Sequence, residues 1–261
     1  MKSIRSRDNP FYKELAKLSG SVRQRNKSGQ TLLDGAHLLA AYLDSGKQPQ
    51  HILLNTASLN DAEIAGLMQR IHDVPVTLFD DGLFAELSEL KTPSGILTLI
   101  EIPRPAATAT QCRFALLLED IQDPGNLGSM LRSAAAAGCD AVYLSQACAD
   151  AWSPKVLRAA MGGHFALTIH EHADLADMAA RFDGATYGAT LQANESLYEY
   201  DYTGNVAFVF GNEGAGLSRE LVDTVHHAIV IPMSGKVESL NAAAAAAVCL
   251  FEAARQRGWK S

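Results

Sequence analysis

The amino-acid sequence predicts an α/β protein, a small α/β domain followed by a larger one built on a parallel sheet. Three observations lead there. Short runs rich in Leu, Ile, Val and Phe alternate with stretches of helical period, the pattern of strands buried between helices. At roughly 150 residues per domain, the 261 residues make one large domain or two modest ones, and two is the starting expectation. The segment IPRPAATATQ, residues 102–111, holds two prolines and no hydrophobic period, so it reads as a linker. These place a first domain at residues 1–105, a linker at 106–111 and a second domain at 112–261.

In the first domain, TLLDGAHLLAAYL reads as a strand and then a helix, HILLN as a strand and DAEIAGLMQRIH as a helix. VPVTLFD is a strand, DGLFAELSEL a helix, and GILTLIEI closes the unit. In the second, the strands are FALLLED, DAVYLS, FALTIH, ATYGAT, VAFVFG and HAIVIPM. Helical patterns at Leu127–Ala137 and Ala173–Phe182 separate them, and an Ala-rich helix from about Leu240 to Arg257 ends the chain.

Composition narrows the function classes. With 48% hydrophobic and 20% charged residues the chain can bury a core, which excludes a disordered or fibrous protein. The longest apolar stretch, Ala242–Phe251, is about half a membrane span, and MKSIRSRDNP holds no apolar run. Neither membrane insertion nor export is expected, and the cytoplasm is the expected location. Cys112, Cys139, Cys148 and Cys249 show no CxxC spacing, so neither a metal site nor a disulfide framework is expected.

A net charge of −7 speaks against a nucleic-acid partner, but the average conceals a segregation. Residues 1–30 carry eight Lys and Arg against two Asp and Glu, a net +6, leaving 14 against 27, or −13, for the rest. A basic arm before an acidic body suits contact with a phosphate backbone through Lys13, Lys17, Arg23 and Arg25. A solvated amphipathic helix accounts for the same charges equally well.

Ligands of open parallel sheets bind in loops at the carboxyl ends of strands, and three such loops stand out. The first is DPGNLGSMLRSAAAAG, residues 123–138, with Asn126 as a helix N-cap, Gly138 as a stop and Arg132 beside the apolar stripe. An arginine so placed is most often a solvated surface residue. The second is GNEGAGLS, residues 211–218, where glycines permit close approach to a ligand and Glu213 sits between them. Its GxxGxG spacing is neither the dinucleotide GxGxxG nor a P-loop. The third is PMSGKVESLNAAAA, with Ser239 as N-cap and Asn241 in the first helical turn. The scattered histidines form no HExxH pattern, and no GxSxG is present.

In this order, DPGNLGSMLRSAAAAG, FVFGNEGAGLS and IPMSGKVESLNAAAAAAVCLFEAAR resemble the three motifs of the SpoU (TrmH-type) RNA ribose 2'-O-methyltransferases of the SPOUT superfamily. The likeness extends through SPKVLRAAMGGHF and, more weakly, to residues 1–105, which look like the substrate-binding domain preceding the catalytic one. It departs at Asp34, where glutamate is commoner, and at Ala160, where serine is frequent. The resemblance implies a trefoil knot in the parallel-sheet domain, a homodimer through that domain, S-adenosylmethionine as cofactor without a metal, and ribosomal or transfer RNA as partner. It implies catalytic roles for Asn126, Arg132, Glu213, Ser239 and Asn241. It places the cofactor against Gly211, Ile231 and Leu240, with Met233 nearby. A guanidinium is too weak a base to deprotonate a hydroxyl, so Arg132 is expected to grip phosphate or a developing alkoxide, with Glu213 and Asn241 orienting the nucleotide and the arginine. Two other readings compete. An RNA-binding ribosome assembly factor of the same fold without catalysis would have no need of Arg132, Glu213 and Asn241. A nicotinamide-dependent oxidoreductase would carry the missing GxGxxG.

Overall fold

A computed structural model describes residues 2–90, 92–105 and 112–258. The expected linker at 106–111 lies outside the described residues. The chain folds into two compact units, one reaching to Pro103 and including Trp152–Phe165, the other comprising Arg104–Ala151 and the chain from Ala166 onward.

In the first unit, β1 (Lys2–Ile4) precedes α1 (Pro10–Gly20) and α2 (Val22–Ser28). Then come β2 (Gln30–Asp34), α3 (Ala36–Asp44), β3 (His51–Leu54), α4 (Ala62–Met68), β4 (Val76–Phe79), α5 (Asp81–Leu87) and β5 (Ile96–Glu101). The sheet runs β1-β4-β3-β5-β2, with β1, β3 and β4 mutually parallel and β5 antiparallel to both its neighbours. Asn9 starts α1 by accepting from the N–H groups of Phe11 and Tyr12, and Pro10 supplies a first position that needs no donor. Tyr12, Leu15 and Leu18 then recur at helical spacing and bury against Leu32, Leu53, Phe79 and Phe84.

The basic arm divides here. Lys13, Lys17 and Arg23 are exposed, and Lys13 pairs with Asp8 at 2.9 Å. Arg25 does not belong with them. It is 5% exposed, and its Nη1 donates to the Leu18 carbonyl at 2.5 Å and the Ser19 carbonyl at 3.0 Å. These are carbonyls of the last turn of α1, which the helix leaves without partners, and the short α1–α2 connection folds Arg25 back onto them. Arg25 is therefore a structural clasp and is withdrawn from the expected RNA-facing set.

Trp152–Phe165 also departs from expectation, which assigned these residues to the second domain. The segment contains α7 (Pro154–Ala160; α6 follows below) and buries Trp152, Val156, Leu157 and Ala160. The Trp152 carbonyl accepts from Thr31 Oγ1 at 2.8 Å, and the Phe165 ring meets Tyr42 edge-on at 5.1 Å. Apolar burial with a satisfied buried hydroxyl outweighs sequence proximity.

The second unit carries β6 (Phe114–Leu118), α6 (Pro124–Ala137), β7 (Ala141–Leu144), β8 (Thr168–His170), α8 (Leu175–Arg181), β9 (Ala185–Ala189) and β10 (Glu195–Ser196). It ends with β11 (Val206–Phe210), α9 (Arg219–Thr224), β12 (His227–Val230) and α10 (Ala242–Gln256). Its seven strands, in the order β10-β12-β9-β11-β6-β7-β8, are all parallel, and every residue of β6 and β11 is buried, as the continuous apolar runs predict. α10 packs on α6 and β11, and its Ala243, Ala246 and Ala253 are buried. The chain goes from β6 outward to β7 and β8, then returns to the other side through β9, so strand order reverses between β6 and β11. That reversal sets the loops after β6 and β11 side by side.

Arg25→Ala should lower unfolding stability in urea by about 2 kcal/mol, the scale of losing hydrogen bonds from a buried charged group. Lys17→Ala and Arg23→Ala should each stay within about 0.5 kcal/mol of the parent.

Candidate functional site

The site is built from the loops that follow β6, β11 and β12. α6 starts at Asp123, whose Oδ1 accepts from the Asn126 N–H at 2.8 Å, with Pro124 next in line. The expected cap, Asn126, thus lies in the first turn with its side chain free to point elsewhere. A similar exchange occurs at α10. Ser239 caps no helix among the described residues, while Asn241 accepts from the N–H groups of Ala243 at 2.9 Å and Ala244 at 3.2 Å. Both caps were displaced from expectation because Asp-Pro and Asn-Ala fit the extended-then-helical step better than the neighbouring candidates.

These caps orient the amides. Only an oxygen can accept from a helix N–H, so Asn241 turns Nδ2 outward, where it donates to Asn126 Oδ1 at 2.9 Å. Asn126 then has Nδ2 left, which donates to Glu213 Oε1 at 3.1 Å. Three residues from three loops form one directional chain, Asn241 to Asn126 to Glu213. Glu213 also accepts from the backbone N–H of Asp123 at 3.3 Å and of Gln122 at 3.5 Å. Partial burial pushes its carboxyl up, but the bonds from Asn126 and the backbone outweigh this and hold it below its ordinary value. It is an anion at neutral pH.

The glycine loop is shaped by its own backbone. Asn212 Oδ1 accepts from Gly214 N at 2.9 Å and Ala215 N at 3.0 Å, and its carbonyl accepts from Gly216 N at 2.9 Å. A Cβ on Gly211 would stand 2.1 Å from the Gly216 carbonyl oxygen and 2.3 Å from Leu217 N. The close approach that requires this glycine is therefore the loop against itself, where the sequence alone pointed to a ligand.

Beside the chain lies a cavity of about 640 Å³, within the range of small-molecule sites. Gly211, Ile231, Met233 and Leu240 all line it, as do Glu213 and Ser239. Residues 189–193, the loop after β9, form a further wall that the sequence analysis did not single out. Its signal was the polar ATLQAN stretch closing a strand, which is also what an ordinary surface loop looks like. Arg132 is not brought into the chain. It is exposed on α6 and makes no hydrogen bond or ion pair with the described residues. Glu213 holds Asn126 and the backbone instead of orienting this arginine. Among the described residues no group of three or more His, Cys, Asp or Glu is placed to hold a metal.

Gly211→Ala should break the self-contact of the loop. Amide exchange at Gly214, Ala215 and Gly216 should rise about tenfold or more while β6 and β11 stay protected, because Cβ and carbonyl cannot share the space. Unchanged exchange at these three amides would show that the loop absorbs the methyl group.

Comparison with known proteins matches this architecture. Residues 113–251 fit the model of the SpoU rRNA Methylase family, and residues 9–98 fit the MRM3-like substrate binding domain. An uncharacterised tRNA/rRNA methyltransferase of Synechocystis is 34% identical, covering 98% of this chain and 94% of its own. The 23S rRNA (guanosine(2553)-2'-O)-methyltransferase RlmP of Bacillus subtilis is 32% identical over 96% of this chain and 98% of its own. The crystal structure of the SpoU methyltransferase AviRb from Streptomyces viridochromogenes with AdoMet superposes with a TM-score of 0.85 at 26% identity, covering 95% of this chain and 98% of that one. With its parallel sheet, its three site loops and a family match over more than half its length, the chain belongs to the SpoU rRNA methylase family.

Proposed function

We propose that this protein transfers a methyl group from S-adenosylmethionine to a ribose 2'-hydroxyl in ribosomal RNA. The observation that carries the reading is the Asn241–Asn126–Glu213 chain at the point where strand order reverses, with Glu213 at its end lining the cavity. A relative named for 2'-O-methylation of 23S ribosomal RNA, RlmP of Bacillus subtilis, matches 96% of this chain. Residues 1–105, with the added Trp152–Phe165, serve as the RNA substrate-binding domain, and the rest of 112–261 as the methyltransferase domain. The C-terminal segment threads a trefoil knot, and the protein works as a cytoplasmic homodimer joined through that domain. The resemblance of the three motifs is what supports the knot and the homodimer, and likeness to the SpoU methyltransferase AviRb over 95% of this chain supports the fold that carries them.

The cavity fits the cofactor. Ile231, Met233 and Leu240 offer apolar walls for a flat base, and the loop from Gly211 offers backbone polar groups for its hydrogen-bonding edge. Glu213 supplies a negative wall suited to a cationic ligand. When bound, the cofactor supplies an electrophilic methyl group on a positively charged sulfur. Transfer to the 2' oxygen would break the carbon–sulfur bond as the carbon–oxygen bond forms and would release the hydroxyl proton to solvent. No metal enters this scheme, and alignment of the three atoms supplies much of the rate.

This chain's residues serve that alignment. Glu213 stays ionised and fixes Asn126 and through it Asn241, leaving the second N–H of each amide to hold the nucleotide. Arg132 is engaged by no carboxylate among the described residues and is exposed, ready to grip phosphate or the developing alkoxide. Ser239, exposed at the cavity wall, supplies a hydroxyl beside the nucleotide. Lys13, Lys17 and Arg23 carry the backbone contacts in the first unit, without Arg25. A factor that only bound RNA would need neither the ionised chain nor the cavity.

Arg132→Lys should leave S-adenosylmethionine affinity nearly intact and lower single-turnover methyl transfer by about 100-fold, the scale of losing one oriented donor. A substrate with 2'-deoxyribose at the target should bind without accepting a methyl group. Methylation of that substrate at the normal rate would move the acceptor to the base. Neutralising Lys13, Lys17 and Arg23 together should flatten the log-log salt slope of RNA binding by about two, at roughly 0.7 per phosphate contact on a single strand. An unchanged slope would show the arm to be only a solvated face.

A further inference from the structure

The glycine loop is held at both ends by two adjacent residues that follow β6, neither of which lines the cavity. At its start, Asn212 Nδ2 donates to the Asp120 carbonyl at 2.9 Å. At its end, the Ser218 N–H donates to Glu119 Oε2 at 2.7 Å. Ser218 caps α9, its hydroxyl accepting from Leu221 N at 3.3 Å. In a capping box the cap's own N–H is taken by an acidic residue at the third helical position, but here that position is Leu221, which has no acceptor. Glu119 supplies the missing half of the box from 99 residues away.

The anchor itself is held in place. Asp120 adopts a left-handed backbone conformation, φ 54°, uncommon outside glycine and often found near sites. Ser145 secures it from the end of β7, accepting from Asp120 N at 2.9 Å and donating to Asp120 Oδ1 at 2.6 Å. β7 therefore braces the end of β6, and the end of β6 braces the loop, whose residues 211–217 form a wall of the cavity.

We infer that Glu119 is a positioning residue of this enzyme. By holding the Ser218 N–H it fixes the far end of the 211–217 wall, and so sets affinity for the cofactor without touching it. The inference rests on the proposed identity of the cavity as the S-adenosylmethionine site. It assigns Glu119 no share in the methyl transfer step. Glu119→Leu removes the acceptor, whereas Glu119→Gln keeps an acceptor oxygen at the same reach.

The test pairs calorimetric titration of S-adenosylmethionine with amide exchange at Ser218 in the ligand-free protein. Glu119→Leu should weaken cofactor affinity roughly five- to tenfold, as expected for a partly solvated charge-assisted bond, and Ser218 exchange should rise. Its KM for the cofactor should rise more than its kcat falls. Glu119→Gln should stay within about twofold of the parent in affinity. Should Glu119→Leu not fold, Glu119→Asp takes its place, because it keeps the charge but falls one bond short of Ser218 and should weaken affinity likewise. Parent-like affinity in a folded Glu119→Leu, or equal loss in Glu119→Gln and Glu119→Leu, overturns the assignment. Absence of cofactor binding by the parent protein would instead remove the reading of the cavity, and Ser218 exchange would still decide whether Glu119 holds the loop.

Discussion

Everything at the site depends on one register. β6 and β11 pair in parallel from Phe114 with Val206 to Leu118 with Phe210, both strands wholly buried. Because neighbouring strands lie only about 4.8 Å apart, the loops that leave their carboxyl ends must share one small volume. Glu213 reaches Asn126 for that reason, and Asn212 reaches the Asp120 carbonyl for the same one. A shift of one residue would reverse which side chains face the helices and separate these groups. The polar chemistry at the rim is therefore held in place by apolar packing beneath it.

How much of this was legible in the sequence depends on the range of the interaction involved. Strands such as FALLLED and VAFVF, buried on both faces, announce themselves because no polar residue interrupts them. The stop at Gly138 is local and was readable, its φ of 82° being one glycine accepts. Caps were less so, since Asp123 competes with Asn126 and Ser239 with Asn241 within three residues, and choosing among them needs backbone angles. The three-residue β1 and the two-residue β10 are too short to show any period. The trefoil knot entered only through the resemblance, because rules of chain connection argue against threading.

Arg25 shows where a charge count misleads. Eight cations in thirty residues look alike in one dimension, yet Arg25 spends its guanidinium on the Leu18 and Ser19 carbonyls while Lys17 and Arg23 face outward. Nothing in the local composition distinguishes them. What does is the turn at Gly20 and Ser21, which aims one face of α2 back at the end of α1. The conspicuous Gly211 teaches a related lesson about glycines, since the backbone it makes room for is Gly216 in its own loop.

The segment Trp152–Phe165 bears on how the chain can fold as it leaves the ribosome. Thr31 finds its partner in the carbonyl of Trp152, 121 residues later, so the first unit cannot complete its packing when its own last strand emerges. Until then the surface that Trp152, Val156 and Leu157 cover stays open, with its apolar area facing water and the Thr31 hydroxyl bonded to solvent instead. N-terminal units usually fold first during synthesis, but here the closing step must wait for β6, α6 and β7 to be made. Long-range closure of this kind slows folding and prolongs exposure of sticky surface. Shielding of the nascent chain, more than the stability of the finished fold, becomes the point at which this protein is most vulnerable.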